Sequence, residues 1–115
     1  MRNVPLSTFQ TDLWTVPEKW QEEDNAFKYY LIVIDVTTRF AFVEGLRNKT
    51  AKSVTDKLID VIYQIRNLQS AIMKDNEILF YSDFGGEFIS AYTKDKLKQN
   101  NALLFVVGGE HKARK

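Results

Sequence analysis

Two acids set 71 positions apart carry the chemistry open to this chain. Asp83 follows the apolar run Ile78-Leu79-Phe80-Tyr81 and Ser82, and Phe84-Gly85-Gly86-Glu87-Phe88 comes straight after it. A strand that ends in an acid and opens into a glycine turn presents a carboxylate at the rim of a sheet. Asp12 lies inside Ser7 to Val16, a β-like stretch whose apolar members are Phe9, Leu13 and Trp14. Asp is disfavoured inside strands, so its presence there needs a reason. One reason is an edge strand with Asp12 turned to water. The other is a meeting with Asp83. Converging carboxylates repel each other, and a divalent cation held between them removes that cost. Two such ions about 3.5–4 Å apart can activate a nucleophile and stabilise the leaving oxygen of a phosphodiester. In the plainer alternative Asp83 caps the helix that follows it and Asp12 is unrelated.

Composition narrows which ions could serve. The chain has no cysteine and one histidine, so disulfides, thiolate zinc sites and histidine-rich sites are excluded. Carboxylates must then do the work, and they select hard cations such as Mg²⁺ or Mn²⁺. Lys plus Arg is 16 against 15 Asp plus Glu, a balance that neither announces nor excludes a nucleic-acid partner. At 115 residues the chain makes one domain, with enough aromatic bulk for a real core. No apolar run is long enough to span a bilayer and no signal peptide is visible, so a soluble intracellular protein is expected.

The elements that must position the acids follow from periodicity. Residues 1–7 read as an arm. Ser7 to Val16 gives the first strand, and Pro17 to Asn25 a long polar hairpin loop in which Trp20 covers a core edge. Phe27 to Val36 is apolar and β-branched through its centre, as suits a strand buried on both faces. Asp35-Val36-Thr37-Thr38-Arg39 forms a short turn into a third strand, Arg39 to Leu46. Asp35 is a possible metal ligand, but an Asp at such a place more often accepts hydrogen bonds from turn amides. Ala51, Val54, Leu58, Val61, Ile62, Ile65 and Leu68 recur at three- and four-residue steps, which predicts an amphipathic helix with Thr50 as its N-cap. Lys52, Asp56, Lys57 and Asp60 fall on its solvated side. Ile78 to Tyr81 is the fourth strand, Glu87 to Asn101 a second helix with Tyr92 and Leu97 inward, and Ala102 to Val107 a fifth strand. The order β-β-β-α-β-α-β predicts an α/β fold with three antiparallel strands and parallel additions through crossover helices.

Taken in order, these segments resemble the retroviral-type integrase catalytic core, a transposase relative with the ribonuclease H-like fold. Thr11-Asp12-Leu13-Trp14 resembles its first acidic strand. Tyr30 to Ala41 resembles its second and third strands with their tight turn. Asn48-Lys49-Thr50-Ala51 resembles the start of its first helix, and Ser82 to Phe88 its second-acid signature. The tail Glu110-His111-Lys112-Ala113 is most similar to integrases of large DNA transposons of the Maverick/Polinton kind and of related viruses. The resemblance covers residues 8–107, with 108–115 as a charged tail leading to a further helix.

The resemblance implies an active site of two Asp and one Glu, binding Mg²⁺ or Mn²⁺ and carrying out 3′-end processing and strand transfer on DNA. Asp12 and Asp83 fill the first two places. The Glu is expected beyond Lys115. Glu110 precedes the Lys-Ala pair and is at most a substitute ligand. Lys112, Arg114 and Lys115 are possible phosphate contacts, or else a frayed terminus. Glu87 could shape the DNA entrance, though a plain surface role suits it as well. Element ends and target DNA are the implied partners, with a homo-oligomer in the full-length protein and a nuclear location in the host. The alternatives are an inactive core used for DNA binding or assembly, and a hybrid-cleaving nuclease of the same fold that would draw on Asp35 as an extra acid.

Overall fold

The computed structural model describes residues 4–21, 27–69, 75–83 and 90–106. Within them lie β1 (Thr8–Thr15), a short 3-10 turn (Glu18–Trp20), β2 (Tyr29–Asp35), β3 (Ala41–Leu46), α1 (Ala51–Leu68), β4 (Ile78–Ser82), α2 (Ala91–Gln99) and β5 (Ala102–Val106). The strands form one mixed sheet in the order β3-β2-β1-β4-β5. β1 runs antiparallel to β2, and β2 to β3, whereas β4 is parallel to both β1 and β5. The expected α/β class and order of elements are met, and the topology is compatible with a ribonuclease H-like core. One placement differs. β1 is the middle strand of the sheet, so an exposed Asp12 is not the mark of an edge.

Alternation along the strands divides the sheet into two faces. Phe9, Thr11 and Leu13 of β1 share a face with Leu31, Val33 and Asp35 of β2 and with Ile78 and Phe80 of β4. This is the core face. Phe9 packs edge-on to Phe42 and against Phe80, at centroid distances of 6.2 and 5.7 Å. Val54, Leu58, Val61, Ile62 and Ile65 close over it from α1, and Leu97 does so from α2. Each side chain of this size, fully buried, contributes about 1.5–3 kcal/mol. β2 does not have the two buried faces its apolar run predicts. Only Leu31, Val33 and Asp35 are buried, because both described helices pack on one side of the sheet. Leu68 likewise falls outside the α1 stripe and is exposed.

The helices start and stop where local chemistry dictates. The Thr50 hydroxyl accepts from the Ser53 amide at the head of α1. Gln69 leaves the helix in extended conformation, and its side chain donates to the Leu6 carbonyl at 2.8 Å. Ser90 and Thr93 form a reciprocal capping box at the head of α2. Thr55 and Thr93, both buried, share a hydrogen bond of 2.8 Å that joins the two helices. Arg66 donates to the Asn76 carbonyl at 2.8 Å and so ties the end of α1 to the approach of β4. α1 therefore begins at the end of the sheet where β1 and β4 finish, and runs back toward Leu6. No described helix is long and apolar enough to cross a membrane.

Candidate functional site

The register of β1 on β4 decides where the acids stand. Thr8 faces Leu79, and the pairing proceeds to Thr11 against Ser82. The pairing ends there, and Asp12 and Asp83 are the next residues in the chain. Both are exposed, and alternation along β1 puts Asp12 on the face away from the helices. Directly behind them the Thr11 hydroxyl donates to the Tyr81 carbonyl at 3.2 Å, a cross-strand link that holds the two strands together at this level. Asp12 Oδ1 accepts from the Leu13 amide at 2.9 Å, which fixes one carboxylate oxygen and leaves the other available.

Asp83 does not cap α2, because Ser90 does. Asp12 and Asp83 are both exposed carboxylates. Such a donor set suits a hard divalent cation. Among the described residues no group of three His, Cys, Asp or Glu side chains stands together.

Asp35 belongs elsewhere. It is fully buried on the core face and pairs with Phe9, three residues along β1 from Asp12. Its Oδ2 accepts from the Leu6 amide at 3.0 Å and the Thr38 hydroxyl at 2.8 Å, and its Oδ1 from the Thr37 amide at 3.1 Å. The carboxylate is spent on the turn and on anchoring the strand ahead of β1. Glu87, Glu110, Lys112, Arg114 and Lys115 lie outside the described residues.

The sequence reading did not foresee how cations and aromatics pair around the acid end of the sheet. Arg47 sits over Phe27 at 5.0 Å, Lys49 over Tyr29 at 5.4 Å and Lys52 over Tyr92 at 5.4 Å. Lys52 also bonds Asp56 at 2.8 Å, and the Tyr92 hydroxyl donates to the same carboxylate. The Lys52 hydrogen bond, followed by that of Tyr92, holds the Asp56 carboxyl below its ordinary range. The bond to Asp56 in turn raises both Lys52 and Tyr92. The visible signal was the run of cations at 47, 49 and 52 together with aromatics at 27, 29 and 30. Trp20 was expected to cover a core edge, but it is 61% exposed beside Lys19.

The fold is an α/β domain whose mixed sheet is compatible with a ribonuclease H-like core, with Asp12 inside β1 and Asp83 just after β4. Comparison with known proteins points to mobile elements. The chain is 29% identical over 87 residues to a transposon-derived protein of Caenorhabditis elegans, a match covering 76% of this chain and 28% of that protein. It is 28% identical over 88 residues to a retrovirus-related Pol polyprotein from transposon RE1 of Arabidopsis thaliana, covering 76% of this chain and 5% of the relative. The chain thus spans well under a third of either relative's length. No family model matches it. Its similarity is to transposon-related proteins.

Proposed function

We propose that this domain is the catalytic core of an integrase-type protein that acts on DNA through bound Mg²⁺ or Mn²⁺. The observation that carries the reading is the β1–β4 register, which pairs Thr11 with Ser82, the residues just ahead of Asp12 and Asp83. Similarity to transposon-derived proteins supports it. Asp12 and Asp83 would hold the metal, each through a carboxylate oxygen. A divalent cation bound there supplies an activated oxygen nucleophile and neutralises charge on the leaving oxygen. The two acids serve as ligands, not as proton carriers. A third carboxylate, from outside the described residues, completes the site in this reading. The products are processed 3′ ends and their transfer to target DNA.

The test begins with metal. Mn²⁺ binding is followed by its paramagnetic resonance signal in the wild type, Asp12→Asn and Asp83→Asn. Both variants should lose most of the affinity, and unchanged binding in both would sink the assignment. Strand transfer is then measured with Mn²⁺ and terminal-repeat DNA on a chain that supplies the third acid. Activity that survives either substitution would count equally against it. A hybrid-cleaving nuclease is the weaker reading, because Asp35, its extra acid, is buried and committed to a turn.

A further inference from the structure

Phe9 and Leu13 of β1 and Ile78 and Phe80 of β4 all pack in or against the hydrophobic core. The last pair these two strands share, Thr11 against Ser82, lies on the same face but carries two hydroxyls, and each residue is 1% exposed. Packing alone does not ask for a hydroxyl at position 11. Valine has the same branched shape and no polar atom to satisfy. The Thr11 hydroxyl is spent across the sheet: it donates to the Tyr81 carbonyl at 3.2 Å, two residues ahead of Asp83.

The place of this bond gives it a consequence. β1 stays paired with β2 as far as Thr15 against Tyr29, and Asp12 stands in that ladder opposite Ile32. Asp83 is held differently. Ser82 is the last residue of β4 to pair, with Thr11 on one side and Val106 on the other, among the described residues. One acid therefore sits inside a ladder, and the other sits just past the end of two. The end of a ladder is where a sheet opens first. A side-chain bond at the last rung resists that opening, and the group it grips is the backbone that leads into Asp83.

We propose that Thr11 is a positioning residue: by binding the Tyr81 carbonyl at the last rung, its hydroxyl fixes the end of β4 and with it the place of Asp83 relative to Asp12. The inference rests on the proposed function for its consequence, since a cation shared by the two acids is bound only as well as their spacing is held. Groups just outside a metal's ligands act in this way, by orienting the ligands. The hold on Asp83 itself needs no metal.

Two substitutions separate the hydroxyl from the rest of the side chain. Thr11→Val keeps the branched shape and loses the donor, whereas Thr11→Ser keeps the donor and loses the methyl. Amide hydrogen exchange in the metal-free protein reads the hold directly. In Thr11→Val the amides from Tyr81 to Asp83 should exchange about fivefold faster, as loss of one neutral hydrogen bond predicts, with Phe80 unchanged. In Thr11→Ser they should exchange as in the wild type. Mn²⁺ affinity, followed by its paramagnetic resonance signal, should fall about tenfold in Thr11→Val and stay near the wild-type value in Thr11→Ser. Urea unfolding of the same proteins supplies the contrast. A merely structural side chain would lower affinity in step with stability, but here affinity follows the hydroxyl, whichever variant is the less stable. Thr11→Ala beside Thr11→Ser repeats the comparison with the hydroxyl as the sole difference, should Thr11→Val fold poorly. Wild-type exchange at the end of β4 in a folded variant without the hydroxyl overturns the proposal. So does an equal loss of Mn²⁺ affinity in Thr11→Ser and Thr11→Val. Failure of the metal reading looks different: Asp12→Asn and Asp83→Asn then bind Mn²⁺ as the wild type does, and the exchange rates still decide whether Thr11 holds Asp83.

Discussion

Replacing Asp35 by Ala should destabilise the fold while leaving the candidate metal pair untouched. Three acceptor bonds go at once: those from the Leu6 amide, the Thr37 amide and the Thr38 hydroxyl. Bonds to a charged group each contribute about 1.5–3 kcal/mol. Thr37 and Thr38 are exposed and recover water when the carboxylate is removed, so their share is at the low end or below it. Leu6 is partly buried, and its amide faces a void in the variant. The expected loss is about 3 kcal/mol, a large part of the 5–15 kcal/mol by which domains of this kind are stable. Asp35→Asn keeps one acceptor oxygen and should cost about half as much. Urea unfolding followed by tryptophan fluorescence measures both, with the m-value expected to hold constant. A loss below about 1 kcal/mol for Asp35→Ala would show that the turn does not depend on the carboxylate. Loss of Mn²⁺ affinity in folded Asp35→Asn would refute the separation of roles and return Asp35 to the site.

Three further outcomes follow from the packing and the surface pairs. Thr55→Val removes the buried bond to Thr93 and should cost about 1–2 kcal/mol in urea unfolding; a double cycle with Thr93→Val should show the two losses to be non-additive. Gly45→Ala should displace the Phe27 ring and change stability by less than about 1 kcal/mol, yet shift the ring resonances of Phe27 and Tyr30 in NMR spectra. Asp56 has a lowered carboxyl pKa when folded, so its contribution is present above the unfolded carboxylate value near 4 and is lost as pH falls through the lower folded value. Asp56→Asn should therefore reduce stability at neutral pH and not at the acid end, and the difference should shrink in high salt because the Lys52 pair is exposed.

The fold could be read from the chain because its signals are periodic. The stripe from Val54 to Ile65 and the Thr50 cap predicted α1, and the structure gives Ala51–Leu68. The β2–β3 hairpin followed from its short turn, and Asp35 took the amide-accepting role that turn chemistry favours. Other features depend on which face a neighbour covers, and one strand does not carry that information. β2 looked buried on both sides because its run is apolar throughout, but both described helices lie on a single face. The polar Asp12 left an edge place for β1 open as one of two readings, and the sheet sets the strand between β2 and β4. Of the candidate site, the adjacency of β1 and β4 could be anticipated from the strand order and the resemblance, and the sheet sets them side by side. The cation–ring pairs escaped notice because their partners are far apart in sequence, as Lys52 and Tyr92 are.

The parallel pairing of β1 with β4 also governs what length changes the chain can accept. The segment between the acids includes two turns, a helix and a long approach to β4, and extra residues there need not disturb the pairing. The cost of a longer connection grows only slowly with its length. Inside β1 or β4 the rule inverts. A single inserted or deleted residue between the paired positions and either Asp would turn that acid to the core face, beneath α1 and α2, and expose its apolar neighbour. In related chains, length variation should therefore crowd into the connections and be nearly absent from the four residues ahead of each acid.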